Sequence, residues 1–155
     1  MLVTLHYRFD CLEIFDEVKQ QIKLENNFME KIFIEPTRVT PLVNFDPDEG
    51  LLEIKGRSSP ENSILFYQKI IDGLDEIADS DLDSFQANFS YEYFNTSSSK
   101  CLFDVFKRLG KIEESGKNLT INWYYEEDDE DMMEAGEDYA DLLDLEFNFM
   151  EIEEF

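Results

Sequence analysis

Between Ser84 and Glu114 the spacing of apolar residues changes once, and abruptly. Phe85, Ala87, Phe89, Tyr91 and Tyr93 recur every second position, the signature of a strand with one buried face. Leu102, Val105, Phe106 and Leu109 then recur at three and four, the signature of an amphipathic helix. The junction is Asn95-Thr96-Ser97-Ser98-Ser99, five small polar residues where one helix cap would suffice. A strand running straight into a helix calls for a parallel crossover, and this alternation repeats along the chain.

"KIFIE" at 31–35 reads as a first strand. "TPLVNFDPDEGLLEIKG" at 40–56 reads as two strands about a turn at Asp46-Pro47-Asp48-Glu49-Gly50. The Asp-x-Asp-x-Gly spacing there has only part of a calcium loop's ligands, so a hairpin turn is expected. "SSPENSILFYQKIIDGLDEIA" at 58–78 predicts a helix capped by Ser58 or Ser59, with Pro60 in its first turn, Glu61 at the positive end of its dipole and Ile64, Tyr67, Ile71, Leu74 and Ala78 inward. After the second helix, ended by Gly116, come a strand "NLTINWYY", an acidic helix facing inward with Met132 or Met133, Ala140 and Leu143, and a closing strand with Phe147 and Phe149 on one side. The predicted order is β-β-β-α-β-α-β-α-β, an α/β fold with a mixed sheet and about three helices.

Residues 1–28 read differently. "LVTLHYRF" is strand-like, and "CLEIFDEVKQQIKL" is amphipathic through Leu12, Phe15, Val18 and Ile22. This segment is either an N-terminal extension or the product of a gene start assigned upstream of the true initiator, Met29. Residues 29–155 suffice for one domain.

Thirteen basic residues against 37 acidic ones give a net charge of −24, which repels nucleic acid and anionic membrane. Fourteen Phe, seven Tyr and one Trp supply a core without staples. No apolar run approaches the ~20 residues of a membrane span, no signal-peptide pattern opens the chain, and Cys11 and Cys101 stand in unlike contexts. A reducing, cytoplasmic setting is expected. The sequons at Asn88, Asn95 and Asn118 are then without meaning.

Much chemistry is missing. His6 is the single histidine, so Ser-His-Asp and Cys-His catalysis lack a base. Zinc lacks a ligand set, no glycine-rich phosphate loop occurs, and no cofactor is expected. From Tyr124 onward there are fifteen acids and no Lys or Arg. The run Glu126 to Asp131 reads as a solvated helix start rather than a metal site. The acidic face is either solvated or a dock for a basic partner, and a small enzyme using paired carboxylates in a cleft stays open.

At the junction, a Thr or Ser is expected to cap the helix. A phosphate there would also meet unpartnered N–H groups and the positive end of the dipole. "SSPENS" at 58–63 and "YFNTSS" at 93–98 together resemble the paired motifs of the SiaC family of bacterial regulatory phosphoproteins, and the order "TPLVNFD", "GLLEIKG", "PENS", "YFNTSS", "WYY" runs as in that family over about residues 34–125. The resemblance implies a STAS-like domain, the fold of anti-anti-sigma factors, acting as a switch and not as an enzyme. It implies phosphorylation of Thr96 by a dedicated GHKL-like Ser/Thr kinase, removal of the phosphate by a metal-dependent PPM-type phosphatase, and binding of a diguanylate cyclase by the unphosphorylated form, within cyclic-di-GMP and biofilm signalling. The contact residues it implies are Pro60, Glu61, Asn62, Ser63, Asn95, Ser97 and Ser98. An anti-anti-sigma factor opposing an anti-sigma kinase is the alternative switch. Residues 1–28 and the long acidic helix depart from the family pattern.

Overall fold

The computed structural model describes residues 13–18, 21 and 29–155. Residues 13–18 and 21 are helical, and Ile14 and Val18 are exposed there. The strand-like stretch "LVTLHYRF" with His6, and Cys11, Leu12 and Ile22, lie outside the described residues.

The elements are β1 (Ile32–Ile34), β2 (Leu42–Asp46), β3 (Leu51–Ser58), α1 (Ser63–Ala78), β4 (Ser84–Phe94), α2 (Thr96–Glu114), β5 (Asn118–Glu126), α3 (Glu130–Leu143) and β6 (Phe147–Ile152), the expected order. They build one six-stranded sheet in which spatial order equals chain order. β1, β2 and β3 form an antiparallel meander, and β3 to β6 are parallel. Three crossovers step in the same direction, so right-handed connections place all three helices on one face. On that face Val43, Phe45, Leu52, Ile54, Phe85, Ala87, Phe89, Ile121 and Trp123 are buried beneath the helices. The other face is polar, and in its centre Asn148 donates to Asn122 (3.1 Å), which donates to Asn88 (2.8 Å), along one register row.

The β2–β3 connection is the expected hairpin turn. Asp46 accepts from the N–H groups of Asp48 and Glu49, and Lys31 lies 3.0 Å and 3.1 Å from the Asp46 and Asp48 carboxylates, so a cationic side chain already sits between them. Gly50 has φ +66, and a Cβ there would stand 2.7 Å from the Ser84 carbonyl oxygen.

The end of β4 is irregular. Gly56 pairs with Tyr91, but the next pair is Arg57 with Tyr93, so Glu92 is an extra residue in β4. This bulge breaks the two-residue alternation. Tyr93, expected inward, is exposed, and Phe94 turns toward the core in its place, opposite Ser58.

Candidate functional site

α1 and α2 start at the carboxyl ends of the neighbouring strands β3 and β4, the end of an open α/β sheet where ligands and partners are usually met. Both starts are built alike. Asn62 caps α1, its Oδ1 accepting from Leu65 N at 3.0 Å, and Asn95 caps α2, its Oδ1 accepting from Ser98 N at 2.8 Å. This corrects both predicted caps. Ser58 and Ser59 precede α1 by too much, and Thr96 is already the first helical residue. In each motif Asn wins because its amide oxygen reaches the N–H three residues on while its own backbone stays extended.

The serines are thereby released for another purpose. Ser58, Ser63 and Ser98 are the buried polar residues of the described chain, and all three meet between the two helix starts. Ser58 Oγ lies 2.9 Å from Ser98 Oγ and 2.6 Å from the Tyr67 hydroxyl, which lies 3.0 Å from that of Tyr91. Ser98 Oγ donates to the Ser58 carbonyl at 3.1 Å. The bonds can therefore run one way, Tyr91 to Tyr67 to Ser58 to Ser98 and back to the Ser58 backbone. Burial satisfied in this manner favours the neutral phenols: it pushes Tyr67 up to about 12 and Tyr91 well above the ordinary tyrosine value. At the outer end Ser63 donates to Ser97 Oγ at 3.2 Å, joining α1 directly to α2. The Asn95 N–H donates to the Ser58 carbonyl at 3.0 Å, and Ser99 Oγ lies 2.9 Å from the Tyr139 hydroxyl of α3.

Of the predicted contact residues, Ser63 and Ser98 are buried members of this network, Pro60 is buried in the approach to α1, and Asn62 and Asn95 are caps. Thr96, Ser97, Glu61 and Asn62 are exposed. Ile64, predicted inward, is 73% exposed and its neighbour Leu65 71%, because the helix turns Ser63, Tyr67, Ile70, Ile71, Leu74 and Ile77 to the core. The surface at the two helix starts thus combines hydroxyls with an apolar pair. Tyr67 and Tyr91 are network residues that periodicity treats as plain core. The signal available was two phenols at inward positions, each needing a buried hydrogen-bond partner.

In a chain with 37 acids, the first turns of α1 and α2 contain none, whereas α3 begins with Glu130 and Asp131. The first turns of these two helices lack the anionic residues that usually accompany a helix start, and the expected Glu61 stands just outside α1, one residue before its cap. Among the described residues no group of three or more potential ligands is arranged to hold a metal, and no helix is long and apolar enough to cross a membrane.

The sequence model of SiaC family regulatory phosphoproteins matches residues 34–152. An uncharacterized protein of Pseudomonas aeruginosa (strain UCBPP-PA14) is 27% identical over 113 residues, 73% of this chain and 90% of that one. The crystal structure of apo-SiaC from Pseudomonas aeruginosa is similar with a TM-score of 0.68 and 28% identity, over 79% of this chain and 98% of that one. SiaC from the same organism, crystallised with the diguanylate cyclase SiaD whose activator it is, gives a TM-score of 0.72 and 26% identity over 78% and 99% of the two chains. With the fold and the matched span in agreement, the chain belongs to the SiaC family of regulatory phosphoproteins.

Proposed function

We propose that this protein is a cytoplasmic phospho-switch. Unphosphorylated, it binds and controls a diguanylate cyclase, and phosphate on Thr96 turns the binding off. It acts through binding and not through catalysis of its own. A GHKL-like kinase adds the phosphate and a PPM-type phosphatase removes it, as the family resemblance implies.

The observation that carries this reading is the placement of Thr96. It is an exposed hydroxyl at the first position of α2, on a backbone held by the Asn95 cap and by the buried Ser58–Ser98 link. A phosphate can be added there without disturbing the core, and the helix end offers it N–H donors. A partner packed over the same tip would have to bury a near-dianion, which is costly without a cation of its own. The exposed Ile64 and Leu65 beside Ser63 supply apolar area for such a partner. The related SiaC, crystallised with its cyclase, supports the choice of partner class.

The test is calorimetric titration of the cyclase of the same genome with unmodified and Thr96-phosphorylated protein. A loss of ~2.7 kcal/mol at the tip lowers affinity ~100-fold. Equal affinities overturn the off-switch, and tighter binding by the phosphoprotein reverses its sign. Leu65→Asp is expected to weaken binding of the unmodified protein while leaving the fold intact.

A further inference from the structure

Thr96 and Lys100 stand four residues apart in α2, one turn along the same side of the helix, and both are exposed. Helical side chains lean toward the N-terminus, so Lys100 leans back over the turn that carries Thr96. Despite the 37 acids, the ion pairs of the described residues engage Lys31, Arg57 and Arg108, and Lys100 takes part in none. Asp104, one turn further on, stands in the less favourable order for pairing, with the cation N-terminal to the acid. Thr96 and Lys100 stand in the favourable order as soon as Thr96 carries an anion. The first turn of α2 contains no acid to compete for the ammonium.

We propose that Lys100 is the counter-cation of a phosphate on Thr96. The proposal rests on the reading of Thr96 as the modified residue. Asn95 already occupies the Ser98 N–H, so the donors left at the helix end are the N–H groups of Thr96 and Ser97. These serve two phosphoryl oxygens, and Lys100 serves the third. Modification then changes the tip twice over: it adds a dianion, and it captures an ammonium that the unmodified surface presents freely to a partner carboxylate. Lys100 is a positioning residue in this scheme, holding the phosphoryl group against the helix rather than letting it extend into solvent.

The experiment uses the full chain with phosphothreonine installed at position 96 by stop-codon suppression, so that it does not depend on any kinase. Phosphorus NMR follows the second ionisation of the phosphate with pH. A cation one turn away favours the dianion, so Lys100→Met is expected to raise that pKa by about 0.3 and Lys100→Glu by about 0.6, the size of one and two i,i+4 charge contacts. Lys107→Met, two turns along, is expected to leave it unchanged. Circular dichroism checks that each variant keeps its helices. A phosphate that titrates alike in the unsubstituted chain and both Lys100 variants overturns the pairing, and so does an equal shift from Lys107→Met, which would signify only the general field. Mass mapping of the kinase product tests the choice of Thr96 separately, so failure of the pair and failure of the switch are told apart.

Discussion

Asn95 and Thr96 are neighbours with opposite energetic roles. Asn95 caps α2 with a 2.8 Å bond to Ser98 N, and its own N–H is held by the Ser58 carbonyl. Asn95→Ala is expected to cost about 1 kcal/mol, within the ~0.5–2 kcal/mol of lost caps. The Thr96 side chain makes no hydrogen bond among the described residues, so Thr96→Ala is expected to stay within about 0.5 kcal/mol while losing the proposed phosphate acceptor. Urea unfolding of the two variants separates the roles, and a costly Thr96→Ala would mean that Thr96 caps after all. Deeper in, Tyr67 provides a pH signature. Its folded pKa, raised by burial to about 12, exceeds the ordinary value of 10.0. The folded state therefore holds the proton longer than the unfolded state does. The stability it contributes is complete below about pH 10 and is lost as pH rises toward 12, at about 1.4 kcal/mol per pH unit for this one group. Tyr67→Phe is expected to remove that share of the alkaline slope, and to lower stability at neutral pH by leaving Ser58 and Tyr91 short of a partner. An alkaline slope unchanged in Tyr67→Phe would place the titration elsewhere.

Among the elements, α3 shows how packing overrides propensity. Gly136 lies in its middle, where alanine would be the better helix former by up to about 1 kcal/mol. A Cβ at Gly136 would, however, stand 2.6 Å from Trp123 Nε1, which donates to the Met132 carbonyl at 2.9 Å. Trp123 is fully buried and ringed by Phe89, Phe106, Tyr139 and Phe147, so it has little room to retreat. Gly136→Ala is expected to destabilise by about 1–3 kcal/mol in urea unfolding, the range of overpacked cores, and a stabilised variant would show that α3 can slide. The same contrast marks what periodicity could and could not reveal. Strand and helix order followed from spacing alone, because each element buries one face and every crossover is local. Phe85, Ala87, Phe89 and Tyr91 point as expected, but the alternation fails at Tyr93 because the bulge at Glu92 depends on the partner strand, where Gly56 sits at φ +116. Spacing does not single out the caps Asn62 and Asn95, because serine, threonine and asparagine are nearly equivalent by preference and only geometry shows which oxygen reaches the third N–H. The candidate site residues Asn95 to Ser98 stand out in the sequence as an excess of small polar residues. That Ser98 and Ser63 lie inside while Ser97 and Thr96 lie outside depends on the rotation of two helices against each other, which no single segment specifies.

At the scale of the whole molecule, each inner strand of the described residues pairs with the strands before and after it in the chain, which places β1 and β6 at the two ends of the order. The unit matched by the family begins at residue 34, and β1 begins at Ile32 as a three-residue strand that, among the described residues, pairs with β2 alone. Met29 is packed against the core, so the folded unit reaches back at least that far. Before it, Ile14 and Val18 are 57% and 47% exposed, which leaves much of their apolar area in water. Residues 1–28 hold five acids and three bases, a small part of the net charge of −24, so their removal hardly alters the self-repulsion of the domain. A chain starting at Met29 is therefore expected to melt within about 5 °C of the full chain, since about 1 kcal/mol corresponds to several degrees in a domain of this size. The helix starts of α1 and α2 lie in the retained part, so titration of the proposed cyclase partner should give the same affinity for both lengths. Differential scanning calorimetry of the two proteins decides the matter. A fall of about 10 °C or more, several times the shift of a single kcal/mol, would show that the amphipathic segment through Leu12, Phe15, Val18 and Ile22 buries its apolar side on the domain. A loss of cyclase affinity at unchanged melting temperature would make that segment part of the docking surface instead.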